Sequence, residues 1–145
     1  MKHVMDDIQN FIKHHNTMTL ATHGENGIGA AAVFYVPSKE FKSLFFVSNP
    51  NSEHITNLEN NNKCAATIQK DGLKWEFIKG LQIKGCVIKA KEEYWKIYLE
   101  KFPYIEENKI LSKALKKVSL YELQISWARL INNEKEFGNK TEVRY

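Results

Sequence analysis

The densest group of chemistry-bearing side chains in this 145-residue chain lies between Ser48 and His54, where Ser-Asn-Pro-Asn-Ser-Glu-His separates an apolar run from a helical one. Asn51 or Ser52 is placed to cap the helix that Ile55 and Leu58 define, and the cluster Asn60 to Asn62 to end it. The first amides of a helix have no partner inside it, so such a junction attracts anions without any side-chain charge. Glu53 falls in the first turn, where the macrodipole favours a carboxylate facing solvent. An imidazole at position 54 titrates near ~6.5 and gains a proton when an anion settles beside it.

Other reactive residue types are less organised. His3, His14 and His15 sit on or beside the first helix without a carboxylate or thiolate at ligand spacing, which reads as surface histidines, and His23 reads as a turn residue. Cys64 and Cys86 lack C-x-x-C spacing and lie in apolar, strand-like runs, as buried reduced thiols do. Trp75, Trp95 and Trp127 read as core or subunit-interface residues, with Trp127 the strongest candidate for stacking on a ligand. No G-x-S-x-G, P-loop or paired-carboxylate signature occurs.

The elements that must position these residues follow from periodicity. Met5, Ile8, Phe11 and Ile12 predict a helix from about Asp6 to His15, closing one end of the fold. Thr17–Thr22 and Ala30–Val36 read as two strands around a glycine-rich turn, the second ended by Pro37. Ser43–Ser48 and Lys63–Gln69 are further strands. Asp71-Gly72 turns the chain through Trp75–Ile78 into Leu81–Ala90, with Gly80 and Gly85 marking bulges or close backbone approach. Helical spacing returns from Glu92 to Pro103 and from about Glu106 to Lys117, and Val118–Ile131 is a long final strand.

Short strands joined by turns, without regular β-α-β alternation, predict an α+β fold: an antiparallel Greek-key split barrel of about six strands with flanking short helices. One domain is expected, with a helical N-terminus at 1–16, the barrel at about 17–131 and a C-terminal tail at 132–145. A hydrophobic content of 43% and a charged content of 26% are those of a globular chain. The net charge of +4 is spread along the sequence, and no nucleic-acid-binding module accompanies it, so a nucleic-acid partner is not expected. Asp6 and Asp7 interrupt any signal-peptide core and no run is long enough to span a membrane, so the expected compartment is the cytoplasm.

The stretch LFFVSNPNSEHITNLENNNKCAATI, Leu44 to Ile68, resembles the centre of the flavin mononucleotide (FMN) binding split-barrel superfamily typified by pyridoxamine 5′-phosphate oxidase. The shared pattern is an apolar strand ending in Ser or Thr, a turn, a Ser-Arg-Lys type triplet opening a short helix, then Leu, Asn-Asn and another strand. Ser48, Asn49–Asn51, Ser52-Glu53-His54, Leu58, Asn60, Asn61 and Lys63 stand at the matching places. Trp127-Ala128-Arg129-Leu130 resembles the last barrel strand of that family, and AAAVFYV with Phe137-Gly138-Asn139-Lys140 resembles in particular the YhbP-like bacterial group.

The resemblance implies a homodimer with two FMN sites at the subunit interface, each built from both chains. It places the backbone of Ala31, Ala32, Val33, Phe34 and Tyr35 along the isoalloxazine. Val47, Ser48, Asn49, Ser52 and His54 fall around the phosphate. Lys79, Gly80, Trp127 and Arg129 approach the flavin from other sides. The implied activity is a flavin-dependent oxidoreductase acting on a small molecule. The alternative is a non-enzymatic dimeric ligand-binding or interaction protein with a weakened or lost flavin site. That alternative rests on Glu53-His54 standing where the pattern has Arg-Lys, and on the uncharged Ala30–Val36. Two unit charges ~6 Å apart at an effective dielectric of about 20 interact by roughly 3 kcal/mol, so such a replacement matters if both side chains face the ligand.

Overall fold

The computed structural model describes residues 2–145. Helix α1, Lys2–Lys13, turns Ile8, Phe11 and Ile12 into the core. Its last turn is closed by histidines: Nδ1–H of His14 donates to the Asn10 carbonyl at 2.6 Å and that of His15 to the Phe11 carbonyl at 2.7 Å. The Ile12 carbonyl is taken by the hydroxyl of Tyr35 at 2.7 Å. Carbonyls left without partners at a helix end are costly when buried, so these bonds fix where the helix stops and how it lies on the sheet.

The strands form one curled antiparallel sheet in the order β2-β1-β5-β6-β7-β4-β3, with β8 also paired to β7. Strands β1 (Thr17–Gly24) and β2 (Gly27–Phe34) make a hairpin whose two-residue turn ends on Gly27, at a φ of 101° that only glycine adopts freely. Strand β4 (Ser43–Ser48) joins the other end of the sheet through the first half of the 14-residue β7 (Ser119–Asn132). Strands β5 (Lys63–Gln69) and β6 (Lys79–Lys89) lie between them. Alternate residues of each strand, among them Met18, Leu20, Ala66, Ile68, Leu81, Ile83, Leu123 and Leu130, fill the interior.

The opposite face of β4 carries a second, smaller core. Phe45 packs there with Val36, Tyr98, Phe102 and Leu120, under α3 (Trp95–Lys101). At Gly85 the β6–β7 register slips by one residue: Lys84 faces Trp127 while Gly85 faces Ile125, leaving Ser126 as the bulged residue. A Cβ on Gly85 would strike the Gln124 carbonyl, so the expected close backbone approach is present at this position.

Four expectations need correction. The second strand begins at Gly27, not Ala30, and stops at Phe34; the Tyr35 amide still bonds the Asn16 carbonyl in hairpin register, and from Val36 the pairing passes to β4. Val36–Pro37 instead form a short strand β3 on β4, at the sheet edge where proline's missing N–H costs no ladder bond. Trp75–Phe77 is a 3₁₀ turn outside the sheet, and Trp75 is exposed rather than core. The helical stretch after Pro103 is two pieces, α4 (Tyr104–Glu107) and α5 (Lys109–Leu115), because the Asn108 side chain accepts from the amides of Ile110 and Leu111 and starts a new helix. The C-terminal tail contains a strand, β8 (Lys140–Arg144), on the second half of β7, which raises the sheet to eight strands. Met1, within the expected helical N-terminus, lies outside the described residues.

Candidate functional site at the β4–α2 junction

Strand alternation decides which way Ser48 points. Leu44 and Phe46 face the main core and Phe45 faces the second one, so Ser48 falls on the Leu44/Phe46 face and is buried beneath the start of helix α2, Glu53–Asn60. The helix is seated by Ile55 and Leu58 and by Asn57, whose amide donates to the buried hydroxyl of Thr22 at 3.1 Å. Asn57 also fills the space that a side chain at Gly24 would need. Sequence spacing and packing together therefore hold the N-terminus of α2 over the end of β4.

Three of the sequence-selected side chains meet there. Ser48 Oγ lies 2.6 Å from His54 Nε2 and 3.1 Å from Ser52 Oγ, and Ser52 Oγ lies 3.3 Å from the same imidazole nitrogen. Ser52 occupies the cap position, but its hydroxyl is turned into this triangle and accepts nothing from the helix. The Ser52 amide reaches Asn49 and the Thr56 amide reaches Ser52, each at 3.0 Å. The amides of Glu53, His54 and Ile55 have no acceptor among the described residues. Burial holds the His54 pKa below its ordinary 6.5, against an opposing pull from Glu53. The imidazole is thus neutral around neutral pH.

This donor set suits the terminal phosphate of a nucleotide. Three free amides, two hydroxyls and an imidazole that can take up a proton lie together in the connection and first turn of one helix N-terminus. Asn49 supports the turn by accepting from the Asn51 amide at 2.9 Å. Glu53 is exposed and its carboxylate reaches toward Gly29 of β2.

Residues 4–132 match the family described as pyridoxamine 5′-phosphate oxidase. The chain belongs to that family. A UPF0306 protein of Campylobacter jejuni is 30% identical over 139 residues, covering 95% of this chain and 97% of that one. Among solved structures, Campylobacter jejuni ChuZ aligns with a TM-score of 0.78 at 18% identity, over 99% of this chain and 60% of that one. HutZ of Vibrio cholerae, described as a haem storage protein, aligns with a TM-score of 0.66 at 18% identity, over 84% of this chain and 89% of that one. At these identities the two structures speak to the fold alone.

Within this oxidase-family barrel the other selected residues lie apart from the β4–α2 junction. Val47 packs against the second core. Ala31 and Val33 sit on the inner face of β2, Ala32 and Phe34 on the outer, and β2 ends the sheet order with one edge unpaired to any strand. The Tyr35 side chain is fully buried. Trp127 and Arg129 lie on the outer face of β7, where the Lys84 ammonium and the Arg129 guanidinium stand 4.8 and 4.9 Å from the indole centroid and Arg129 pairs with Glu142 at 3.1 Å. Gly80 pairs with Gln69 and Ile131, and Lys79 lines a cavity beside α1. One chain brings together Ser48, Ser52 and His54, with Asn49 beside them, and distributes the rest over other faces.

Asn57 and the inward turn of the Ser52 hydroxyl escaped sequence reading, whereas the unpaired amides of α2 were expected. A buried asparagine carries no motif, and whether a cap serine caps depends on a rotamer set by neighbours 48 and 54. Both cysteines are free and only partly buried, where fully buried thiols were expected, and burial pushes the Cys64 thiol up to about 12. Among the described residues no His, Cys, Asp and Glu group could hold a metal ion, and no helix is long and apolar enough to cross a membrane.

Proposed function

We propose that this protein binds FMN, with the phosphate held at the β4–α2 junction by the free amides of Glu53, His54 and Ile55 and by Ser48, Ser52 and His54. The observation that carries the reading is the 2.6 Å contact between Ser48 and His54 at the mouth of an uncapped helix. When bound, FMN would supply hydride exchange with a small-molecule substrate, making the protein an oxidoreductase. The chain's own work is binding. A phosphate would replace the hydroxyl–imidazole contacts with charge-assisted ones and raise the His54 pKa, so that Nε2 carries a proton toward the anion. Glu53 is exposed and turned toward Gly29, yet close enough to act on His54, so its charge opposes the phosphate from one side.

The proposal includes a homodimer. Trp127, Arg129 and the open edge of β2 lie outside the junction of their own chain, and a second copy set against the barrel would bring such residues to a shared groove. Cytoplasmic residence belongs to the same proposal, as a reduced compartment suits two free thiols.

A second reading, a non-enzymatic dimeric binding protein, is favoured by Glu53-His54 in place of Arg-Lys. The likeness to HutZ makes haem a ligand to test under it. An absorption spectrum of the freshly purified protein, followed by titration with FMN and with haem, separates the two. Flavin bands and saturable FMN uptake support the first; a colourless protein that ignores FMN and takes up haem overturns it in favour of the second.

A further inference from the structure

We propose a second ligand site, at the end of β1 and β5 opposite helix α2, that binds a small planar aromatic acid. A cavity of about 650 Å³ lies between the C-terminal end of α1 and the β5–β6 connection. That size lies within the range of small-molecule pockets. It is distinct from the β4–α2 junction: β1 and β5 run antiparallel, so Thr17 and Gln69 mark one end while Gly24 and Lys63 mark the end that α2 covers.

The walls combine two chemistries. Phe11, Leu73 and Phe77 supply apolar surface, and Phe77 is half exposed, an aromatic ring that the core does not use. Lys70, Lys79, His14 and His15 supply positive or ionisable nitrogen. Both histidines spend Nδ1–H on carbonyls of α1, which fixes the neutral tautomer and leaves Nε2 as the atom free for a ligand. Two carboxylates line the same cavity, but Asp7 is held by Lys135 at 3.3 Å, so Glu134 alone opposes two lysines. An aromatic ring against Phe11, Leu73 and Phe77 with its carboxylate on Lys70 and Lys79 satisfies both sets. A neutral aromatic or a bare inorganic anion satisfies only one.

The test uses 1-naphthoate as probe, with 1-naphthalenemethanol and inorganic phosphate as controls, followed by backbone amide chemical shifts of the full chain. Saturable shifts confined to Asn10, His14, His15, Lys70 and Phe77 are expected with naphthoate. Binding of the alcohol, and of naphthoate to the Lys70→Ala/Lys79→Ala variant, should be weaker by roughly tenfold or more, the loss of charge-assisted contacts. A variant spectrum unchanged away from the cavity establishes that the fold is intact. Equal affinity for acid and alcohol, naphthoate binding that the double variant leaves unchanged, or no shifts at these residues would overturn the proposal. The cavity shares no residue with the β4–α2 junction, and because the resemblance sets Lys79 near the flavin, Lys70→Ala alone keeps this test separate from FMN binding.

Discussion

The Oγ of Ser48 and the Nε2 of His54 stand 2.6 Å apart across a five-residue turn, joining the last residue of a core strand to the first turn of a helix. Each side chain satisfies the other while the helix amides between them stay free. Stability and ligand binding therefore compete for the same two groups.

Removing the hydroxyls tests the binding half of that competition. The Ser48→Ala/Ser52→Ala variant should bind FMN more weakly by about 1 to 3 kcal/mol, and Glu53→Lys should bind it more tightly. Fluorescence titration with FMN checks both, and affinities that do not move in either variant would discard the junction as the phosphate site.

The depressed His54 pKa fixes a sign for acid stability. The folded protein resists protonating a group that the unfolded chain protonates near its ordinary 6.5, so the contribution of His54 is complete above that value and is lost as pH falls through the folded value. Urea midpoints measured downward from neutral pH should fall in the wild type and fall less in His54→Gln. FMN should flatten the wild-type decline, because a bound phosphate reverses the preference. Parallel midpoint curves for the two proteins would contradict this account of the imidazole.

At the bulge, Gly85→Ala has no room. The added methyl meets the Gln124 carbonyl on the neighbouring strand, which is backbone and cannot rotate away. A loss of about 2 kcal/mol or more is expected, in the range of overpacked cores. Chemical denaturation reads it, and a neutral result would mean the β6–β7 register is free to shift.

Two buried polar pins can be compared directly. Tyr35→Phe removes the hydroxyl that ends α1 and leaves the Ile12 carbonyl only the longer 3.4 Å bond from the His15 amide, at a cost of about 1 to 3 kcal/mol. Asn57→Ala removes the bond to Thr22 and opens space beside Gly24. Both should lower the unfolding midpoint, but only Asn57→Ala should also weaken FMN binding, because it alone loosens the helix that presents the amides. Equal FMN affinity in the two variants would argue that α2 is held without Asn57.

Periodicity and turn chemistry determined the antiparallel α+β barrel, the exact extents of Ser43–Ser48 and Lys63–Gln69 and the glycine approach at 85, while the family resemblance of the sequence selected Ser48, Ser52 and His54. These depend on local preferences and on alternation, which a linear sequence carries. Only the tertiary structure decided that Val36–Pro37 leave the β1–β2 hairpin, since the partners they take, Phe45 and Leu44, belong to the other end of the sheet. Likewise, the terminal stretch becomes β8 only because β7 is long enough to offer a second free half-edge, and the Ser52 hydroxyl abandons its helix only because Ser48 and His54 are brought against it. Each of those outcomes is a choice between competing hydrogen-bond partners far apart or differently oriented in space, and that competition leaves no period in the sequence.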